Sequence, residues 1–464
     1  MTTTPVHDAD ASDESAHPRH LRPVIFATVA GTLIVWYDFY VFGSLGPILA
    51  SKFYATGTPI GDIIVWLGAF AAGFIVRPVG AVVFGRVGDV IGRKYTLVVT
   101  MTLMGLCTFA VGLLPTRDVL GPAAGLLLIA LRIVQGLALG GEYGAAATYV
   151  AENSPNGRRG LHTGWLQTTA TLGLLASLGV VLVSRLKVGE AAFADWAWRI
   201  PFLASVFLII IAAYIRLRLR ESAMFVKLKG SGGLSRRPVR EMLTTNTIRF
   251  AALALLGATM GQGVVWYTGQ LYSLYYLEAV YKTPLVDANL IVGAALLAGA
   301  PLFVAAGWLS DKIGRKWIML TGLALAVLTY YPIYESMGNF APRSGNYNPY
   351  MLSLLVFAQV VYAALVYGPM AAFLAELFPT RLRYTSLSLP YNIGNGLFGG
   401  LVPLIGLSLI QAAGNELAGL WFPMIVGFIC FVIGALFLPE TFKVNLETVQ
   451  TGGLDMPVLA SSDA

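Results

Sequence analysis

Four ionisable side chains stand inside long apolar runs: Asp38, Arg77, Arg132 and Glu142. A charge in hydrocarbon is costly, and where one occurs it usually binds an ion, relays a proton or pairs with an opposite charge. Counting about 1.5 Å of rise per residue from the ends of the runs puts Asp38 and Arg132 at similar depth, near mid-membrane. Arg77 and Glu142 fall together nearer one face. Two ion pairs are therefore expected, Asp38–Arg132 and Arg77–Glu142. A carboxylate held by a guanidinium stays ionised, whereas one parted from it in apolar surroundings takes up a proton. A motion that alternated the two settings would carry one proton per cycle. These four residues are the proton-coupling candidates, with Glu142 placed to gate an exit.

A second set is neutral. Gln262, Trp266 and Gln270 recur at i, i+4 and i+8, one face of a helix. Tyr367, Tyr391 and Asn392, with Tyr267 and Asn395, add hydroxyl and amide groups that can bind or stack on a small solute; hydrogen bonding between helices is their competing use. The third set is written twice. GRVGDVIGRK (85–94) returns as GWLSDKIGRK (307–316), an offset of 307 − 85 = 222 residues. Acids and guanidinium groups accompany each copy: Asp89, Arg93, Glu152, Arg159 and Glu221 in the first half, Asp311, Arg315, Glu376, Arg381 and Glu440 in the second. Lys and Arg alone would mark topology. An acid at a fixed place beside them, twice, points to ion pairs that latch the cytoplasmic helix ends in one conformation and part in another.

The elements that must position these groups are membrane helices. Of 464 residues, 56% are hydrophobic and 12% charged, and the mean hydropathy is +0.71. A soluble domain would carry about twice that charge fraction. The apolar runs reach about 20 residues, the length that crosses a bilayer core. Twelve spans are expected near 24–46, 62–84, 95–115, 121–151, 161–184, 199–216, 248–277, 287–308, 317–335, 349–376, 384–411 and 417–438. The longest polar stretch, centred on KGSGGLSRRP, reads as a flexible linker over 218–247. It separates a bundle at 22–217 from one at 248–438, with tails at 1–21 and 439–464. Lys and Arg crowd the linker, both GRK strings, NGRRG (156–160) and PTRLRY (379–384), so these and both termini are expected in the cytoplasm. YGAAATYVAE (143–152) matches YGPMAAFLAE (367–376) at an offset of 224, as Gln135 matches Gln359. Duplicated bundles of this kind place a solute path between the halves. The fold class expected is an all-α membrane protein, twelve transmembrane helices in two six-helix repeats around a central cavity.

The repeat is also an internal control. Arg77-Pro78 aligns with Ala300-Pro301, Arg132 with Val356 and Glu142 with Val366, so the architecture itself does not require those charges. The Gly140-Gly141 pair reads as close helix packing rather than a phosphate cradle. Cys107 and Cys430 lie in apolar runs, and the four histidines lack metal-ligand spacing, so neither a metal nor another cofactor is expected. No nucleophile–base constellation and no nucleotide site is evident, which argues against an enzyme and an ATP-driven pump.

The doubled charged string resembles the signature of the major facilitator superfamily. Within it, AGTLIVWYDFYVFG (30–43), FIVRPVGAVVFGRVGD (74–89), LRIVQGLALGGEYGAA (131–146) and DWAWRIPF (195–202) are similar to the metabolite:proton symporter family, which includes proline/betaine, alpha-ketoglutarate and shikimate transporters. The resemblance implies a monomeric inner-membrane symporter for protons and a small-molecule metabolite, an organic acid or a zwitterion, with the lipid bilayer and no nucleic acid as its other partner. An efflux antiporter on the same fold and a non-transporting sensor are the alternatives. Relatives usually carry an acid just before the W-Y-D string. That place is Val35 here, so no proton role transfers to it.

The linker's orientation is directly testable. Ser231→Cys should resist a membrane-impermeant thiol reagent in intact cells and label after permeabilisation. Efficient labelling in intact cells would reverse the topology.

Overall fold

Apolar length dictates helices, and the computed structural model consists of them. It describes residues 18–54, 59–217, 221–235, 237–244 and 247–446. Among these, twelve helices are long and apolar enough to cross a membrane: spans 1 to 6 are Pro23–Ser44, Val65–Val90, Arg93–Leu113, Pro122–Asn153, Arg159–Val188 and Ala197–Leu217, and spans 7 to 12 are Thr247–Ala279, Leu285–Ile313, Lys316–Asn339, Pro349–Leu377, Arg383–Ala413 and Glu416–Phe437. Spans 6 and 12 are the least enclosed. Phe207, Ile210 and Ile211 on one, and Ile425, Phe428 and Ile429 on the other, are exposed, as a lipid-facing surface requires. The two halves meet where span 5 packs on span 8 and span 2 on span 11.

Four local features depart from the expected pattern. The charged strings are not loops: span 2 continues as helix to Val90 and span 3 restarts at Arg93, leaving Ile91 and Gly92 as the turn. Gly92 has φ +146° and its counterpart Gly314 +105°, conformations in which a side chain would be strained. The linker is partly helical, with Ala223–Gly230 and Pro238–Thr244 around the Gly/Ser-rich turn, and the Ser222 side chain caps the first by accepting from Phe225 N. Spans 7 and 11 are interrupted by π turns at Leu255–Thr259, Thr268–Tyr272 and Asn392–Gly399, irregularities that often mark functional positions. In span 2 the break comes at Val76, ahead of Arg77-Pro78, because proline cannot donate to the preceding turn.

The first bundle is tied by a buried knot that the sequence reading did not contain. Glu142 of span 4 does not pair with Arg77. It accepts from Arg216 of span 6 (Nη2–Oε1 2.5 Å, Nη1–Oε2 3.1 Å), from Thr32 of span 1 at 3.1 Å and from Thr100 of span 3 at 2.7 Å. Arg216 also donates to Leu97 O and Thr32 Oγ1. Both charges are essentially inaccessible. Four helices of one bundle thus share one ion pair with every carboxylate oxygen satisfied, and Glu142 joins these helices here instead of standing beside Arg77. Helical side chains tilt towards the N-terminus, which carries Arg216 back from the end of its span into the bundle.

Removing one member of a buried pair strands the other, at a cost of about 3–5 kcal/mol. Arg216→Met should therefore lower the thermal unfolding midpoint in detergent markedly, and adding Glu142→Leu should recover most of the loss. An unchanged midpoint in Arg216→Met would remove the knot from the account.

Candidate functional site

The centre is built from span 1 outward. Asp38 is buried with Oδ1 unpartnered, and its Oδ2 faces Gly105 of span 3, where the missing side chain makes room for it. The expected Asp38–Arg132 pair is not formed. Equal depth does not mean equal direction: Arg132 instead lies over the faces of Phe39, Phe42 and Phe70, 4.4, 4.3 and 5.4 Å from the ring centroids. Its Nη1 donates to Gln135 Oε1 at 2.8 Å, and Gln135 Nε2 donates to Thr108 Oγ1 at 2.8 Å. Thr108 is one turn along span 3 from Gly105. The arginine's neutral chain of bonds therefore ends on span 3 at Thr108, whose hydroxyl donates to Met104 O, without reaching the aspartate.

Arg77 belongs to a different layer, at the seam between halves. Nε donates to Asn392 Oδ1 at 3.1 Å and Nη1 to Asn395 Oδ1 at 3.3 Å, both on the π turn of span 11. Asn395 Nδ2 in turn donates to Gln262 Oε1 at 3.3 Å. The other two residues of the span 7 stripe reach across the seam: Trp266 stacks on Tyr40 of span 1 at 5.6 Å, and Gln270 accepts from Thr171 of span 5 at 3.1 Å. Towards the linker end, Tyr391 donates to or accepts from Tyr367 at 2.7 Å and stacks on Tyr143 of span 4 with centroids 3.4 Å apart. Two aromatic stacks, Tyr40/Trp266 and Tyr143/Tyr391, each join the halves, and the central polar residues are closed from solvent. Asn392 Nδ2 donates to Gly140 O at 2.8 Å; a Cβ at Gly140 would meet the span 2 backbone, so that pair is packing, as its sequence suggests.

At the linker end the doubled strings close on each other. Glu152 lies 3.7 Å from Arg93 of its own half and 3.0 Å from Arg383 of the other. Glu376 mirrors it, 3.0 Å from Arg315 and 3.2 Å from Arg159 across the seam. Asp89 holds Arg93 at 3.3 Å and accepts from Thr385 N and Oγ1, at the start of span 11. Asp311 holds Arg315 at 2.7 Å and accepts from Gly160 N and Leu161 N, at the start of span 5. Each aspartate thus caps a helix N-terminus of the opposite half, where negative charge is favoured. Glu221 accepts from Lys94 N and Glu440 from Arg315 N and Lys316 N, capping spans 3 and 9. Ser222 and Thr441 donate to Glu152 and Glu376. The motif glycines permit this contact: a Cβ at Gly88 would run into the Tyr384 ring, and one at Gly307 into Gly160 O.

One expected member stands outside. Arg381 is half-exposed and lies 4.0 Å from Glu241 of the linker, while Arg383, two residues on, points into the clamp.

A family model described as "Sugar (and other) transporter" matches residues 24–452. The chain belongs to the major facilitator superfamily. It is 31% identical over 430 residues to the alpha-ketoglutarate permease of Escherichia coli, covering 92% of this chain and 96% of the permease. It is 32% identical over 428 residues to the proline/betaine transporter of the same organism, covering 89% and 83%. The structure of the proton:xylose symporter XylE superposes with a TM-score of 0.72 at 19% identity, covering 93% of this chain and 98% of that one, which supports the fold. The chain is a metabolite transporter and not an enzyme.

The charged groups of the clamp are committed to one another, so its loss should shift an equilibrium rather than abolish binding. Couplings of about 1–3 kcal/mol are typical of such switches. Asp89→Asn and Arg93→Ala should each slow uptake into proteoliposomes several-fold or more while inserting normally. Wild-type rates in both would reduce the strings to topology markers.

Proposed function

We propose that this transporter is a proton-coupled symporter of a small metabolite, an organic acid or a zwitterion, working by alternating access with its linker end in the cytoplasm of an inner-membrane cell. The observation that carries the coupling is Asp38: a buried carboxyl with an unsatisfied oxygen, not paired with Arg132, whose own bonds run to Gln135 and through it to Thr108. A carboxyl so placed exchanges a proton when its distance from a guanidinium changes. Spans 1 and 4 belong to one bundle, so it is the second half, whose Trp266 stacks on Tyr40 two residues from Asp38, that changes the carboxyl's surroundings as the halves rock. Arg77 and Glu142 have other partners, which leaves Asp38 the better coupling candidate. The substrate classes come from the permease and the proline/betaine transporter among its relatives; the clamp and the two aromatic stacks supply barriers on either side of the centre.

Asp38→Asn keeps the shape and cannot ionise. It should abolish accumulation driven by an imposed proton gradient in proteoliposomes while substrate exchange across the membrane persists. Continued accumulation against a gradient would rule Asp38 out as the coupling site.

A further inference from the structure

We propose that Arg77 is the anchor for a carboxylate on the transported metabolite, an inference that rests on the transporter reading of the central site. The guanidinium is completely buried. The acid expected beside it, Glu142, is taken by Arg216, and among the described residues the groups around Arg77 are neutral: the amide oxygens of Asn392 and Asn395, the hydroxyls of Tyr267 and Tyr391, and the rings of Trp36 and Phe74. A desolvated cation without a counter-ion is costly, and the aligned Ala300 shows that the fold does not require one there. Packing thus gives no reason for the charge, whereas a ligand that completes it does.

Hydrogen-bond bookkeeping at the seam points to the same chemistry. Arg77 Nη2 and Gln262 Nε2 are buried donors without a partner, and the amide oxygens that would suit them, on Asn392, Asn395 and Gln262, are already engaged. Apart from the Tyr267 hydroxyl, which can donate or accept, these unfilled groups are donors, so the complement is rich in acceptors, and the uncompensated cation favours a negative charge on it. A carboxylate offers two acceptor oxygens in the plane of the guanidinium fork. Gly396 of span 11 contributes no side chain, and a Cβ there would come within 3.4 Å of Arg77 Cδ. Tyr267 and Tyr391 stand beside the cation. Arg132 also has unpartnered donors, Nε and Nη2, but three phenyl rings cover it more closely than Trp36 and Phe74 cover Arg77, and it is bonded within its own half. Arg77 instead bridges span 2 to the π turn of span 11, so an anion bound there contacts both halves, as a ligand that governs their rocking must.

Organic acids and zwitterions share the carboxylate, and a counterflow assay separates them. Proteoliposomes without an imposed proton gradient are loaded with succinate, lactate, proline or glycine betaine, or with the carboxyl-free counterparts prolinamide and choline. Because exchange needs no gradient, a failure of coupling does not register here. The wild type should exchange one or more of the four carboxylates and neither counterpart. Arg77→Gln should raise the KM for that solute at least about tenfold, and Arg77→Lys, which keeps charge without the fork, should fall between. A thermal midpoint raised by the same solute in wild-type protein but not in Arg77→Gln distinguishes lost binding from lost folding; if Arg77→Gln is unfolded, the KM of Arg77→Lys decides. Exchange of prolinamide or choline, failure to exchange any carboxylate, or an unchanged KM in the decisive variant would overturn the assignment.

Discussion

Glu152 and Glu376 each accept an arginine from both halves of the molecule, and the closed form depends on that sharing. A buried carboxylate facing one guanidinium is marginal, since desolvation offsets much of the attraction. Here each is flanked by its own-half arginine, an arginine from across the seam and a hydroxyl, Ser222 or Thr441. The pattern is reciprocal, so neither half can withdraw without stranding charges on both sides. Duplication explains why the string is written twice: each copy supplies half of a contact that is complete only when both are present.

The ends of the bundle and its centre follow opposite rules. Charges at the linker end are paired, capped and hydrogen-bonded, whereas Asp38, Arg77 and Arg132 in the centre touch only neutral groups. The first arrangement stores a conformation. The second is the basis for the proposal that the aspartate takes a proton and Arg77 an anion. The π turns of spans 7 and 11 lie beside these central groups, where a register change turns side chains towards the seam.

Much of this was legible in the sequence. Length and hydropathy gave twelve spans, and the 222-residue repeat gave the halves and most of the clamp. Arg383 was legible too: adding to Arg159 the 224-residue offset that relates Gln135 to Gln359 lands on it, and not on Arg381 in the same PTRLRY string. Arg216 was not, because it closes a span on the edge of a basic linker and only its backward tilt buries it. The central pairing failed for a related reason. Depth along a helix follows from counting, but direction around it depends on packing, and three phenyl rings compete with a carboxylate for Arg132.

Symport is the central claim, and proton movement with the substrate is its most direct consequence. In a weakly buffered suspension of energy-depleted cells producing the protein, adding the transported solute should make the medium transiently more alkaline, and a protonophore should collapse the signal. Solute entry with no pH change would contradict proton coupling, and acidification would make the protein an antiporter.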